Sequence, residues 1–197
     1  MIFKLISLIV RSPQIEPTNK NNMKHFKVGT LLVTCLFLVN VAHSQSIDEM
    51  VKEWERAKAY TKEYLDIMPE SGYALKPTPE MRSFAEQMLH LTDANYGFAS
   101  AVSGEKSPVG FGESEKTMDK SKANVTKLVL AGYDFVINSI KKMDTAKFDE
   151  KIKLFERFEM TKETALAKLF EHQTHHRGQT TVYIRLAGAK PPQEKLF

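Results

Sequence analysis

Four stretches of this chain set apolar residues at three- and four-residue steps, and proline and glycine interrupt the chain between them. That period matches one face of an α-helix and constrains the fold more tightly than any composition does. Ile47, Met50, Trp54, Ala57, Tyr60, Tyr64, Leu65 and Met68 predict a first helix over about 46–68. Pro69, Gly72, Pro77 and Pro79 break the chain, and Thr78 followed by Pro79-Glu80 predicts the start of a second helix. Phe84, Met88, Leu91, Ala94, Tyr96 and Phe98 carry it towards Ser103. Residues 104–120, rich in Gly, Ser and Lys, read as a long connection. Val125, Leu128, Val129, Leu130, Tyr133, Val136 and Ile140 carry a third helix from about Ser121 to Met143. Lys151–Phe155 alternates like a short strand that Arg157–Met160 could pair with, a helical turn being the other reading. Thr161 opens a fourth helix that runs to Leu186, where Gly188 and then Pro191-Pro192 stop it. The expectation is an all-α four-helix bundle with a long helix 2–3 connection and a short hairpin before helix 4.

The N-terminal 44 residues read as an export signal region. From Met23 the chain has a basic start, Lys24-His25-Phe26-Lys27, and then runs from Val28 to Val41 without a charge. Ala42-His43-Ser44 offers small residues at the two positions a signal peptidase inspects, so cleavage is expected between Ser44 and Gln45. The apolar run is shorter than the ~20 residues of a transmembrane helix, so no stable membrane anchor is expected after cleavage. Residues 1–22 are unusual for a signal, and Met23 is the preferred initiator. Cys35, the only cysteine, would leave with this segment, which removes disulfide and thiolate chemistry from the mature domain, residues 45–197. Its expected location is periplasmic or extracellular.

Cleavage also changes the charge. The segment takes with it Lys4, Arg11, Lys20, Lys24, Lys27 and Glu16, so 28 basic and 24 acidic residues become 23 of each. A neutral domain of 153 residues has a sufficient core for one fold, and offers no global electrostatic basis for binding nucleic acid.

The chemistry is concentrated in histidine. Of six histidines, His25 and His43 fall in the signal region, leaving His90 on the second helix and His172, His175 and His176 on the fourth. At about 100° per residue, His172 and His176 lie roughly 40° apart on one helical face, with Gln179 and Tyr183 on the same stripe. Two imidazoles at i and i+4 can chelate one metal; His175 competes through its i+3 spacing to His172. A third ligand must come from another element, and His90 is the remaining histidine, with Glu86 and Asp93 one turn away on its own face. Arg177 faces away from His172 and is expected to pair with a carboxylate. Gly178, in mid-helix, suggests the close approach of another backbone.

His172-Gln-Thr-His-His176-Arg177-Gly178-Gln179, followed by Tyr183-Ile-Arg185-Leu-Ala-Gly188 and Pro191-Pro192, resembles the closing signature of the DinB-like (DinB/YfiT) four-helix metal-binding superfamily. The likeness extends to a Trp-containing first helix and a second helix with one histidine. It implies an up-down-down-up bundle, frequent homodimers, and one divalent metal on a histidine of the second helix and two of the last. Carried over by position, these are His90, His172 and His176, which demotes His175. Asp93, His175, Gln179 and Tyr183 are then expected around the ligands.

Three imidazoles leave an open coordination position, as in catalytic sites, and suit Zn²⁺ or Ni²⁺. No phosphate loop, serine nucleophile motif or cofactor fingerprint competes with the metal. Such a site suits a metal-dependent hydrolase or a transferase that activates a small thiol, the substrate being unspecified and no catalytic residue assigned; the resemblance itself implies thiol-dependent transferases and an isomerase that uses a low-molecular-weight thiol. The other class of reading is a noncatalytic metal- or small-ligand-binding envelope or stress protein. An enzyme predicts a pocket over the open position.

Overall fold

The computed structural model describes residues 46–197; the expected signal region lies outside them. Four helices dominate: α1 (Ile47–Ile67), α2 (Phe84–Ser103), α3 (Lys122–Lys141) and α4 (Lys162–Leu186). A two-stranded hairpin, β1 (Lys151–Leu154) and β2 (Phe158–Thr161), lies between α3 and α4.

Each helix begins where a short polar side chain replaces the missing backbone acceptor. Ser46 and Glu49 close a reciprocal capping box on α1, and Ser83 and Glu86 do the same on α2. Ser121 and Thr161 cap α3 and α4. The box at Ser83 explains why α2 starts five residues beyond Pro79, later than Thr78-Pro79-Glu80 suggested: it satisfies two backbone groups, and Thr78 caps no helix. Gly104 ends α2 at φ +78, a left-handed conformation that glycine adopts without penalty.

Side-chain pairs fix the direction of every helix. Along α1 and α3, Glu55 meets Lys141, Lys58 meets Asp134 and Thr61 meets Tyr133, so these helices are antiparallel. Along α2 and α4, Gln87 meets His176 and Phe98 faces His172, again antiparallel. Trp54 stacks on Phe170 and Tyr64 bonds Thr181, so α1 and α4 run parallel. Thr92 lies on Gly132 and Tyr96 on Phe135, so α2 and α3 do too. The order is up-down-down-up. Two parallel neighbours cannot be joined by a tight turn, which is why α2 and α3 need the long connection over 104–121.

The core is continuous, with Trp54, Leu65, Phe84, Met88, Leu91, Val129, Tyr133, Val136, Leu169 and Ile184 all buried. The α2–α3 contact depends on Gly132: a Cβ there would sit 2.9 Å from Thr92 Cγ2. At Gly178 a Cβ would meet nothing within 4 Å. The close approach expected at Gly178 occurs instead at Gly132, on a different helix. Arg177 is also placed otherwise than expected. It is buried, stacks 4.6 Å from the Tyr60 ring and donates to Gln173 Oε1 at 2.7 Å and Thr61 Oγ1 at 3.4 Å. Among the described residues no carboxylate pairs with it. Neutral acceptors and an aromatic face hold this cation.

In the hairpin, Lys151 pairs with Thr161 and Leu154 with Phe158. Phe155 and Glu156 turn the chain at φ 52° and 54°, the left-handed region that side chains other than glycine rarely enter. Among the described residues, no helix is long and apolar enough to cross a membrane.

Candidate metal centre

Helix α2 carries His90 into the interface with α4, where His172 and His176 stand one turn apart. The three rings converge, with centroids 4.6 Å apart for His90–His176, 5.2 Å for His90–His172 and 4.3 Å for His172–His176. One ligand nitrogen from each lies within 4.8 Å of the others, close enough for a shared ion. His175 is exposed and stands outside the converging group: its ring lies 5.0 Å from that of His176, and its Nε2 meets Gln179 Nε2 at 3.1 Å.

Hydrogen bonds on the outer nitrogens select the tautomers. Tyr183 OH donates to the carbonyl of Arg82 at 2.9 Å and therefore accepts from Gln87 Nε2 at 3.3 Å. The other end of the amide, Gln87 Oε1, is then the acceptor facing His176 Nδ1 at 2.8 Å. This orientation puts the His176 proton on Nδ1 and leaves the Nε2 lone pair free. On His90, Nδ1 faces Glu115 Oε2 at 3.3 Å, while Arg82 Nε donates to Glu115 Oε1 at 2.7 Å. A carboxylate behind an imidazole has the same effect, directing its proton outward and its lone pair inward. His172 Nδ1 is buried without a hydrogen-bonding partner. An unsatisfied nitrogen in a cluster of three imidazoles fits a site built to receive a cation.

Electrostatics agree. Burial, followed by the proximity of His90, His175 and Arg82, lowers the pKa of His172 to about 4. Burial and the neighbouring histidines lower that of His176 to about 3. His90 is also lowered, by burial and then Arg82, against the opposing pull of Glu115. Neutral imidazoles are the form that binds metal.

The residues expected around the ligands have distinct roles. Asp93 does not touch an imidazole; its two oxygens accept the backbone N–H groups of Ser114 and Glu115, each at 2.9 Å. It thereby fixes the loop segment that brings Glu115 to His90. Tyr183 acts one step removed, by orienting Gln87. Gln179 contacts His175 and not the three-histidine group. Glu86 is committed to the α2 cap and to Lys120.

Sequence reasoning missed Gln87 and Glu115. Gln87 lies three residues before His90, and that one-turn spacing on the same helix was its only signal. Glu115 lies in the aperiodic connection, where its pairing depends on the Asp93 anchor.

Beside the histidines lies a cavity of about 470 Å³, with His90 and His172 in its wall together with Arg82, Glu115, Phe98, Phe111 and Phe155. The histidine group is therefore open on this side.

Comparisons with known proteins agree with the architecture. A DinB-like protein from Bacillus cereus superposes with a TM-score of 0.68 at 20% identity, over 77% of this chain and 99% of that one. A second, YjoA from Bacillus subtilis, gives 0.59 at 19% identity, over 76% and 96%. YfiT from Bacillus subtilis, described as a probable metal-dependent hydrolase with an unusual four-helix bundle topology, gives 0.56 at 18% identity, over 74% and 91%. At these identities the likeness is one of fold. No curated protein matches the chain. A profile of the DinB family matches residues 43–196, which takes in all four helices and the three converging histidines. The chain belongs to the DinB family.

Proposed function

We propose that this protein is a metal-dependent hydrolase whose single divalent cation is held by His90, His172 and His176. The observation that carries the reading is the convergence of three neutral imidazoles, two with their outer nitrogens committed to Glu115 and Gln87, beside an open cavity. The description of YfiT as a probable metal-dependent hydrolase supports the same class.

Zn²⁺ or Ni²⁺ suits the donor set, and such a cation supplies Lewis acidity, making water more acidic and polarising a substrate oxygen. The protein's part is positioning. Gln87 and Glu115 hold two rings in the tautomer that presents a lone pair. Asp93 fixes the loop that carries Glu115, and the phenylalanines give the cavity beside the histidines an apolar wall. Transfer to a small thiol uses the same Lewis acidity; export of the domain argues against it, because such thiols are mainly cytosolic. Cleavage before Gln45 is part of this reading, supported by the capping box that opens α1 at Ser46. So is homodimerisation, for which light scattering of the purified protein is the direct measurement.

Elemental analysis tests the centre. Protein purified without chelator is expected to carry about one divalent cation per chain, and the His176→Ala and His90→Ala variants to carry almost none. Full retention in either variant overturns the ligand set. A screen of ester, amide and phosphoester substrates, with and without chelator, tests the hydrolase assignment.

A further inference from the structure

The cavity beside the histidines has two chemically different sides. One is aromatic: Phe98 from α2, Phe111 from the α2–α3 connection and Phe155 from the hairpin tip. Phe155 lies 5.3 Å from Phe98 and 4.8 Å from Phe111, centroid to centroid, and Phe98 continues to His172 at 6.5 Å. Two of these rings are unusually open to solvent, Phe111 at 68% and Phe155 at 42%. Phe155 holds its position at φ 52°, a conformation unfavourable for a phenylalanine. The backbone below makes room for them: a Cβ at Gly97 would come within 3.0 Å of Phe111 and 3.1 Å of Phe155. Three segments distant in sequence thus bring aromatic rings to one exposed place. The other side is charged, with Arg82 beside two carboxylates that are already engaged, Glu115 by Arg82 Nε and Asp93 by the backbone N–H groups of Ser114 and Glu115. Arg82 uses Nε on Glu115, and among the described residues no protein acceptor holds its terminal nitrogens.

The geometry points to an ester or amide of an aryl- or bulky-alkyl-bearing carboxylic acid as the substrate class, water cleaving the acyl bond to release the carboxylate and the alcohol or amine. The apolar body lies against Phe98, Phe111 and Phe155, and the released carboxylate faces Arg82 and the histidines. Exposed aromatic surface is costly to maintain in water, and a cluster with one edge-to-face pair, Phe98–Phe155, and one tilted pair, Phe111–Phe155, offers apolar faces and edges to another ring. A guanidinium with free terminal nitrogens matches a carboxylate. A cavity of about 470 Å³ falls in the range of small-molecule sites. This assignment rests on the proposed metal-dependent hydrolase for the chemistry but not for the binding, since neither the aromatic side nor Arg82 needs a cation to form.

The test is a calorimetric titration of the full chain with 3-phenylpropionate and with propionate, metal content being measured on the same samples. Phenylpropionate is expected to bind about tenfold or more tightly than propionate, as one buried ring would give. Phe111→Ala and Phe155→Asn should each weaken phenylpropionate several-fold and leave propionate unchanged; asparagine tolerates the left-handed backbone at 155 and so keeps the turn. Arg82→Gln should weaken both acids. Equal affinity for the two acids, or unchanged phenylpropionate binding in both phenylalanine variants, overturns the assignment. A protein that prefers phenylpropionate yet holds no metal overturns the metal centre and keeps the pocket; one that holds metal without that preference does the reverse.

Discussion

Gln87 Oε1 and His176 Nδ1 meet at 2.8 Å across the α2–α4 interface, and the far end of the same amide meets Tyr183. Because Tyr183 is committed to the Arg82 carbonyl, this short chain of bonds has one consistent direction, and that direction decides which nitrogen of His176 is available. Gln87→Leu preserves volume and removes both ends of the link. It should lower metal affinity about 10- to 100-fold, as loss of a ligand-orienting partner generally does, while far-ultraviolet circular dichroism stays unchanged. Competition with a chromogenic chelator measures it. Unchanged affinity would show that the tautomer is set by something else.

Asp93 acts through the backbone. Asp93→Asn keeps one acceptor oxygen where two now receive the N–H groups of Ser114 and Glu115, so one charge-assisted hydrogen bond is lost and the other weakened. The expected outcome is faster amide exchange confined to residues near Ser114 and Glu115, with the helices still protected. Exchange that spreads through α2 would mean that Asp93 supports the helix instead of the loop.

The two glycines predict opposite responses. Gly132→Ala drives a Cβ to 2.9 Å from Thr92 Cγ2 and should cost about 1–3 kcal/mol through overpacking. Gly178→Ala meets nothing within 4 Å and should gain up to about 1 kcal/mol from helix propensity. Urea unfolding of the two variants gives both signs in one experiment.

These two positions also show what the sequence conveys. A glycine in a helix announces that something is unusual, but only the packing partner tells whether the space is needed, and that partner comes from another helix. The histidines were easier. His172 and His176 share a face by the geometry of a single helix, and few other histidines remained to complete the set. Helix number and the hairpin followed from periodicity that each segment carries within itself. The start of α2 did not, because Thr78-Pro79 and Ser83-Glu86 both carry start signals and the reciprocal box outweighs the proline. Arg177 was misjudged for a similar reason. A buried cation calls for a carboxylate by default, and the ring of Tyr60 with the Gln173 and Thr61 acceptors becomes visible only when α1 and α4 are packed together.

Arg177 belongs to a closed circuit. Thr61 Oγ1 meets Tyr133 OH at 2.7 Å, Tyr133 OH donates to Gln173 Oε1 at 2.9 Å, and Arg177 donates to both Thr61 and Gln173. Arg177→Ala leaves buried acceptors short of a donor and opens space beneath Tyr60, at a cost of about 2 kcal/mol or more. The midpoint of urea unfolding should fall accordingly, with the metal-to-protein ratio unchanged. Loss of metal at full stability would instead assign Arg177 to the site.

Acid should expose the Glu86 cap. The Lys120 ammonium, and then the Ser83 N–H, lower its pKa from 4.5 to about 2. A depressed carboxylate contributes stability that is fully present above pH 4.5 and lost as pH falls through about 2. Glu86→Gln should therefore melt below the natural protein at pH 7, and the gap should narrow as the buffer is taken towards pH 2. A gap that stays constant with pH would remove Glu86 from the acid response.

The Gln87–His176 bond joins positions 89 residues apart, with the whole of α3 and the hairpin between them. A nascent chain therefore has no ion site until its last helix has been made and docked, which makes the centre a late product of folding. A cation held there would also act as a reversible cross-link that closes this long loop in the native state alone, so occupancy would raise the unfolding free energy by mass action. An ion bound there would then set the protein's lifetime, and a chelator would shorten it before any substrate is involved.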